Sequence, residues 1–420
     1  MHPTAISAHQ ESRQTDPRLR RVSLIWALLF FDVLAGAQGT LLPISHKVAQ
    51  VMTQGALFIA LALALTINPR MRVRLNWFLG LYSLLAITSL MMSVRLVSLG
   101  TGYRSFRLLA FLAVLWLLTP WWGRRDLLIL RSQVRFLLLI LSVVVLGLLI
   151  SPGGARPDGR LSGLLWPIPP TQVAHFAAEV FGLTTLLWIC RLVSGRRAVL
   201  ILVPALIILV LTHTRTALLA MLLALLTACV SLILTNRRVR KTVAVALLVV
   251  VMIGIPASPL LAHWLVRGQN SQQLTQLTGR TKAWTLVLSN HRSATNVIFG
   301  DGLSNGSVTG LSNPAEDGPP IDSSWVLIYQ DQGIVGEILV AAILLLLLIT
   351  ALFRARGPTR ALALYLIVYC LIASFSESGL GGASQYLLDL TVAASLVAYP
   401  CASGTDLVFG GAPEISDISS

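Results

Sequence analysis

The sequence predicts an all-α polytopic membrane protein of about twelve transmembrane helices with one large extracytoplasmic loop. Three observations predict it. Of the 420 residues, 55% are hydrophobic and only 12% charged, about half the charge carried by a water-soluble domain of this length. The apolar residues come in blocks that approach or exceed the ~20 residues a helix needs to cross the hydrocarbon core. The connectors between those blocks alternate, with about two-thirds of all Lys and Arg on one side, as the positive-inside rule requires.

Taken in order, the apolar stretches run over about 22–42, 49–67, 74–93, 105–122, 136–151, 171–190, 198–212, 215–235, 242–259, 325–352, 361–376 and 384–400. Hydrocarbon offers no partner to a backbone amide, so each block must be a helix that satisfies its own hydrogen bonds. The connectors with Arg70, Arg72 and Arg74, with Arg124, Arg125 and Arg131, with Arg191, Arg196 and Arg197, with Arg237, Arg238, Arg240 and Lys241, and with Arg354, Arg356 and Arg360 share the side of the N-terminus. That side is expected to be cytoplasmic. The chain then divides into a polar cytoplasmic tail (1–21), a membrane domain (22–400) with an extracytoplasmic loop (260–324), and a polar C-terminal tail (401–420). The first twenty residues are polar and run into Arg18, Arg20 and Arg21, so no cleavable signal peptide is expected.

The net charge of +15 comes from 32 Lys and Arg against 17 Asp and Glu. Most of the cations lie in the orienting connectors, so nucleic acid is not expected as a partner. Cys190, Cys229, Cys370 and Cys401 lie in or beside apolar segments without metal-ligand spacing and read as small packing residues.

Candidate chemistry gathers on the opposite side. In Thr212-His213-Thr214-Arg215-Thr216-Ala217 two apolar runs meet with almost no loop, which puts Arg215 at the membrane edge. A cation at that depth costs a few kcal/mol unless it pairs or faces a cavity; the bland alternative is an arginine snorkelling from a helix end. Gln272 to Ser289 of the long loop reads as an amphipathic helix. Within Gly279-Arg280-Thr281-Lys282-Ala283-Trp284, Arg280 and Trp284 share a helix face, and Gly279 suits a helix start close to a phosphate. Arg267 belongs to the same loop. Phe299-Gly300-Asp301-Gly302 reads as a shaping turn without the Lys-Ser/Thr ending of a nucleotide loop. Asp322 stands where the loop re-enters the membrane and serves either as a helix cap or as a general base. Gly159-Arg160 and Pro170-Thr171-Gln172 supply a further cation and amide on the same side.

In order and on one side of the membrane, these residues resemble the O-antigen ligase and O-antigen polymerase family of bacterial surface-polysaccharide enzymes. Thr-His-Thr-Arg215-Thr-Ala resembles its Ser/Thr-Arg turn, and Leu-Thr-Gly-Arg280-Thr-Lys-Ala-Trp284 its Gly-Arg…Trp motif. Phe299-Gly300-Asp301-Gly302 resembles its Phe-Gly-x-Gly turn, and Gln332-Gly333-Ile334-Val335-Gly336 its Glu-x-Gly helix. The resemblance implies an all-helical relative of the integral-membrane glycosyltransferases, in the bacterial cytoplasmic membrane. It implies metal-independent transfer of a glycan from an undecaprenyl-diphosphate-linked donor to a saccharide acceptor at the outer face, with membrane lipid as surroundings and no cofactor. On that reading Arg215 and Arg280, with Lys282 and Arg160 behind them, hold the donor diphosphate. Asp322 stands where ligases of the family carry a histidine and would accept the acceptor's proton. Trp284, Gln172 and Arg267 are secondary candidates. Two departures from the pattern, Asp322 itself and Thr171-Gln172 in place of the usual asparagine, leave polymerase and ligase both open. The competing class is a transporter or flippase of lipid-linked saccharides. It is disfavoured by ionisable residues gathered at the membrane edge instead of the midplane, where transporters place them.

Overall fold

A computed structural model describes residues 17–34, 46–95, 99–124, 126–233, 239–241, 280–304, 306–308 and 318–398. Thirteen α-helices form among them. They are α1 (Pro17–Val33), α2 (His46–Ile67), α3 (Trp77–Arg95), α4 (Leu99–Leu118), α5 (Leu128–Ile150), α6 (Pro170–Ile189), α7 (Gly195–Leu211), α8 (Arg215–Ile233), α9 (Arg280–Ser289), α10 (Ala294–Phe299), α11 (Ser324–Phe353), α12 (Pro358–Ala373) and α13 (Gln385–Val397). No strand forms among the described residues, only an isolated bridge between Ser307 and Pro320. By length and composition α2, α4, α5, α6, α8 and α11 can each cross a bilayer, while α3, α12 and α13 are apolar but shorter. The predicted span at 242–259 and Arg267 lie outside the described residues, as does the part of the predicted loop helix before Arg280.

The helices keep apolar residues on their outer faces. Leu149 and Leu200 are about three-quarters exposed, and Val199, Leu222 and Ile338 are more than half exposed. A surface of this composition suits lipid, not water. Inside, α8 turns a stripe of small residues (Ala217, Ala220, Ala224 and Ala228, all fully buried) toward α12. Small residues at this spacing let helix backbones approach closely, which matters where no hydrophobic effect drives helices together. Between α6 and α12 the phenol ring of Tyr365 covers Gly182, where any added Cβ would collide with it, and the Tyr365 hydroxyl donates to the carbonyl of Ala178 at 2.8 Å.

One boundary differs from expectation for a physical reason. Helix α5 starts eight residues before its predicted apolar stretch, because Arg131 and Arg135 point outward while Ser132 and Gln133 are buried on the same turn. The buried Gln133 donates to Glu179 of α6 at 3.1 Å and to Asp389 of α13 at 2.6 Å, and Gln385 also donates to Glu179. Carboxyl groups therefore do sit deep between helices. The expectation that ionisable side chains gather only at the membrane edge is corrected here.

Three of the Arg-rich connectors meet at one end of the bundle. Arg124, Arg354 and Thr359 line one cavity with the end of α13, and Arg74 lines a second beside it. Helices α8, α11 and α13 begin at the opposite end, where α7 and α12 finish. The candidate site lies there.

Candidate functional site

The site is built on a kink. Gly333 interrupts α11 with φ 64° and ψ −164°, a conformation that is essentially reserved for glycine. The carbonyls freed around the kink accept bonds from the preceding loop. Arg292 donates to Tyr329 at 3.1 Å and to Gln330 at 2.5 Å, Asp301 N donates to Gln330, and Gly302 N to Asp331, both at 2.9 Å. Arg292 also pairs with Asp301 at 2.6 Å and is nearly fully buried. Gly300 seats directly on this kink, since a Cβ there would fall 2.2 Å from the backbone nitrogen of Gln332. The amides of Asp301 and Gly302 are thus spent on α11, and that of Gly300 on Asn296 O of α10. The turn shapes the loop, as the sequence suggested, and does not offer a phosphate cradle.

On the other side of α11, Gln332 donates to the carbonyl of Gly381 at 2.7 Å, which fixes the connector between α12 and α13. That connector completes the start of α11. Ser324 N donates to the carbonyls of Ser374 and Glu377 (2.9 and 3.1 Å), and Ser324 Oγ donates to Glu377 O at 2.7 Å. The residue flanking the helix is Ser323, whose side chain makes no capping bond. Asp322 is therefore not the cap, and its carboxylate is directed elsewhere.

It meets Arg280, the first residue of α9. Arg280 Nε donates to Asp322 Oδ2 at 3.3 Å, and its NH2 group lies 3.6 Å from Oε1 of Glu377. The Asp322 side chain is 44% exposed and that of Glu377 15%. Burial, with a smaller push from Asp322, raises the Glu377 carboxyl to about 7 against the opposing pull of Arg280 and Arg160. Arg160 joins this cluster from the 155–168 loop. That loop docks on the α7–α8 turn through Leu161 N to Leu211 O at 3.0 Å, and Arg160 itself donates to Thr212 O at 3.1 Å and to Thr214 Oγ1 at 3.2 Å. The same turn carries Arg215 as the first residue of α8, half-buried. Arg160 is the link between the Arg215 turn and the Arg280 carboxylates.

The remaining candidates fall differently. Lys282 is exposed. Trp284 packs against a small satellite core of Ala283, Val287, Val308 and Ile321, so its part is to seat α9. Gln172, in the first turn of α6, donates to the carbonyl of Val33 at the end of α1 at 3.3 Å, and among the described residues no hydrogen bond joins it to the arginine cluster. Glu377 was missed by the sequence reading. Its only signal was a carboxylate in a short connector on the side opposite the basic loops, Ser376-Glu377-Ser378. Among the described residues no three His, Cys, Asp or Glu side chains gather as a metal-ligand set.

The cluster holds fixed guanidinium groups beside two carboxylates of unequal burial, at the end where three helices present their N-termini. Such a place suits an anionic group and a proton acceptor. Residues 200–341 match a family model described as O-Antigen ligase. The match takes in Arg215, Arg280, Lys282, Trp284, Asp322 and the Gly333 kink, and leaves Arg160, Gln172 and Glu377 outside it. No curated protein matches the chain.

Proposed function

Because residues 200–341, set in an all-helical apolar bundle, match a family model described as O-Antigen ligase, we propose that the chain transfers a glycan from an undecaprenyl-diphosphate-linked donor to a saccharide acceptor. The transfer takes place at the outer face of the bacterial cytoplasmic membrane, with the N-terminus in the cytoplasm and without a metal ion. The observation that carries the proposal is the convergence of Arg160, Arg280, Asp322 and Glu377 beside the Arg215 turn, at the end of the bundle away from the Arg-rich connectors.

A sugar on a lipid diphosphate is already activated, because the diphosphate is a competent leaving group. Negative charge grows on its bridging oxygen as the glycosidic bond breaks. Guanidinium groups stay charged and bind phosphate oxygens in a fork, and fixed donors of this kind in a water-poor site lower a barrier by ~3–4 kcal/mol each. Arg215 stands at the first residue of α8, directly after the Thr212–Thr214 turn, so a helix N-terminus adds to the same field. Arg160 holds the Arg215 turn in place and adds a third cation, and Lys282 offers an exposed one two residues from Arg280. Asp322 or its neighbour accepts the proton that the acceptor hydroxyl loses. The apolar outer faces of the bundle let the polyprenyl chain stay in lipid while its headgroup enters.

The test is purified protein in liposomes with a lipid-diphosphate oligosaccharide and a saccharide acceptor. Release of polyprenyl diphosphate together with a lengthened or newly attached glycan is the expected result. Movement of the intact donor between leaflets without cleavage would overturn the proposal in favour of a flippase.

A further inference from the structure

The two carboxylates beside Arg280 are not equivalent, and the difference assigns them different work. We propose that Glu377 is the base that takes the proton from the acceptor hydroxyl, and that Arg280 restrains it until a diphosphate headgroup draws the guanidinium away. This rests on the transferase reading above.

Oε1 of Glu377 is buried and, among the described residues, accepts no hydrogen bond; it lies 3.6 Å from the NH2 group of Arg280 as an ion contact. A buried carboxylate oxygen normally has a donor, so one without is either a site of strain or a site with a guest. Strain is a poor account, because the backbone that carries it is held firmly. Glu377 N donates to Ala373 O, and Glu377 O accepts from both the amide and the hydroxyl of Ser324. Asp322, by contrast, is nearly half-exposed and takes the Nε bond of Arg280. It reads as the residue that orients the guanidinium.

The groups that face Glu377 come from four elements: Arg280 of α9, Arg160 of the 155–168 loop, Asp322 from the approach to α11, and Tyr386 of α13. Two cations and one anion surround it, yet burial still leaves it near 7. A general base works best when its pKa lies near the working pH, and Glu377 meets that condition while Asp322 is more open to water. A diphosphate bound by Arg280 and Arg160 cancels the two charges that favour the ionised carboxyl and brings further negative charge close. Glu377 then becomes a stronger base only when a donor is present.

The step balances. The acceptor oxygen forms its bond to the anomeric carbon of the donor sugar, and its proton passes to Glu377 Oε1. The bond from that carbon to the diphosphate oxygen breaks, with the electron pair leaving on the lipid diphosphate against the arginines. Water takes the proton from Glu377 after the products depart.

The test is transfer by the full-length protein in liposomes across pH, comparing wild type with Glu377→Gln, Glu377→Asp and Asp322→Asn, alongside binding of undecaprenyl diphosphate as the donor probe. In the wild type, kcat/KM is expected to rise with pH through a midpoint near 7, because the ionised form is the active one, and the kcat midpoint should lie higher. Glu377→Gln should lose ~10²–10⁴-fold in kcat and lose that rise, while its affinity for the probe stays within a few-fold. Glu377→Asp should keep the rise at a lower rate, and it decides the matter if the glutamine variant fails to bind the probe. A wild-type pH profile in Glu377→Gln, or wild-type kcat in Glu377→Asp, would overturn the inference. So would loss of the rise in Asp322→Asn alone. Absence of any transfer by the wild type would instead count against the transferase reading itself, whereas loss in Arg280→Ala with an unaffected Glu377→Gln would sink only the present one.

Discussion

Replacing Gly333 with alanine should destabilise the protein by ~2–6 kcal/mol, and the sum can be worked from two separate costs. The backbone there, at φ 64° and ψ −164°, costs a residue with a Cβ about 1–3 kcal/mol. The new methyl would then lie 2.5 Å from both the carbonyl carbon and the oxygen of Ile298. Those are backbone atoms of α10 that cannot swing aside, so overpacking adds about 1–3 kcal/mol more. The natural control is Gly80→Ala. Gly80 lies inside α3 with open space where a Cβ would go, so alanine there should be neutral or stabilising by up to ~1 kcal/mol. Unfolding in detergent, followed by temperature or denaturant, gives the comparison. Gly300→Ala should resemble Gly333→Ala, and the double variant should cost less than the sum, because both break one shared contact. Equal stability of Gly333→Ala and Gly80→Ala would mean that the kink does not hold the Gly300 turn as described.

The remaining predictions concern the cluster itself. Arg280→Ala and Arg215→Ala should each lower transfer by ~10²–10³-fold without loss of the folded protein, and Arg215→Lys should also be slow because an ammonium does not reproduce a forked phosphate contact; full turnover in either alanine variant would remove that residue from the site. Asp322→Asn should retain much of the transfer rate and raise KM for the donor, since it loosens Arg280; collapse of kcat with unchanged KM would make Asp322 the base. Arg292→Ala removes one partner of a nearly buried ion pair and two carbonyl contacts, and should cost ~3–5 kcal/mol of stability, visible as a large fall in melting temperature.

Much of this architecture was legible in the sequence, and what was not has physical causes. Pro170 does open α6 and Arg215 does open α8, because proline tolerates a first helical turn and because two apolar runs without a loop between them leave only a tight turn. The Gly-rich stretch at 299–302 was readable as a turn, but not its purpose. Only the kink at Gly333, distant in the chain, explains why the turn's amides point at carbonyls. The start of α5 was misplaced because a hydropathy block ends at the first arginine, whereas a helix carries arginines outward and a glutamine inward on the same turn. Glu377 was invisible for a deeper reason. A single carboxylate in a short polar connector has no period or spacing, and its importance arises from Arg280 and Ser324, which the fold brings to it from other elements.

The buried acids also bear on the choice between enzyme and transporter. Glu179 and Asp389 lie between helices, where transporters keep the groups that carry ions or protons. Their oxygens, however, accept bonds from Gln133 and Gln385 across α5, α6 and α13, and satisfied groups of this sort bind helices together. Glu377 has the opposite character. It lies at the end of the bundle beside cations, with one oxygen that no donor reaches among the described residues. A carboxylate that a protein needs for packing is supplied with donors by that protein, whereas one kept for chemistry must leave an oxygen for the substrate. By that criterion Glu179 and Asp389 read as packing groups, while Glu377, the acid proposed as the base, lies beside Arg280 at the end of the bundle away from Arg74, Arg124 and Arg354.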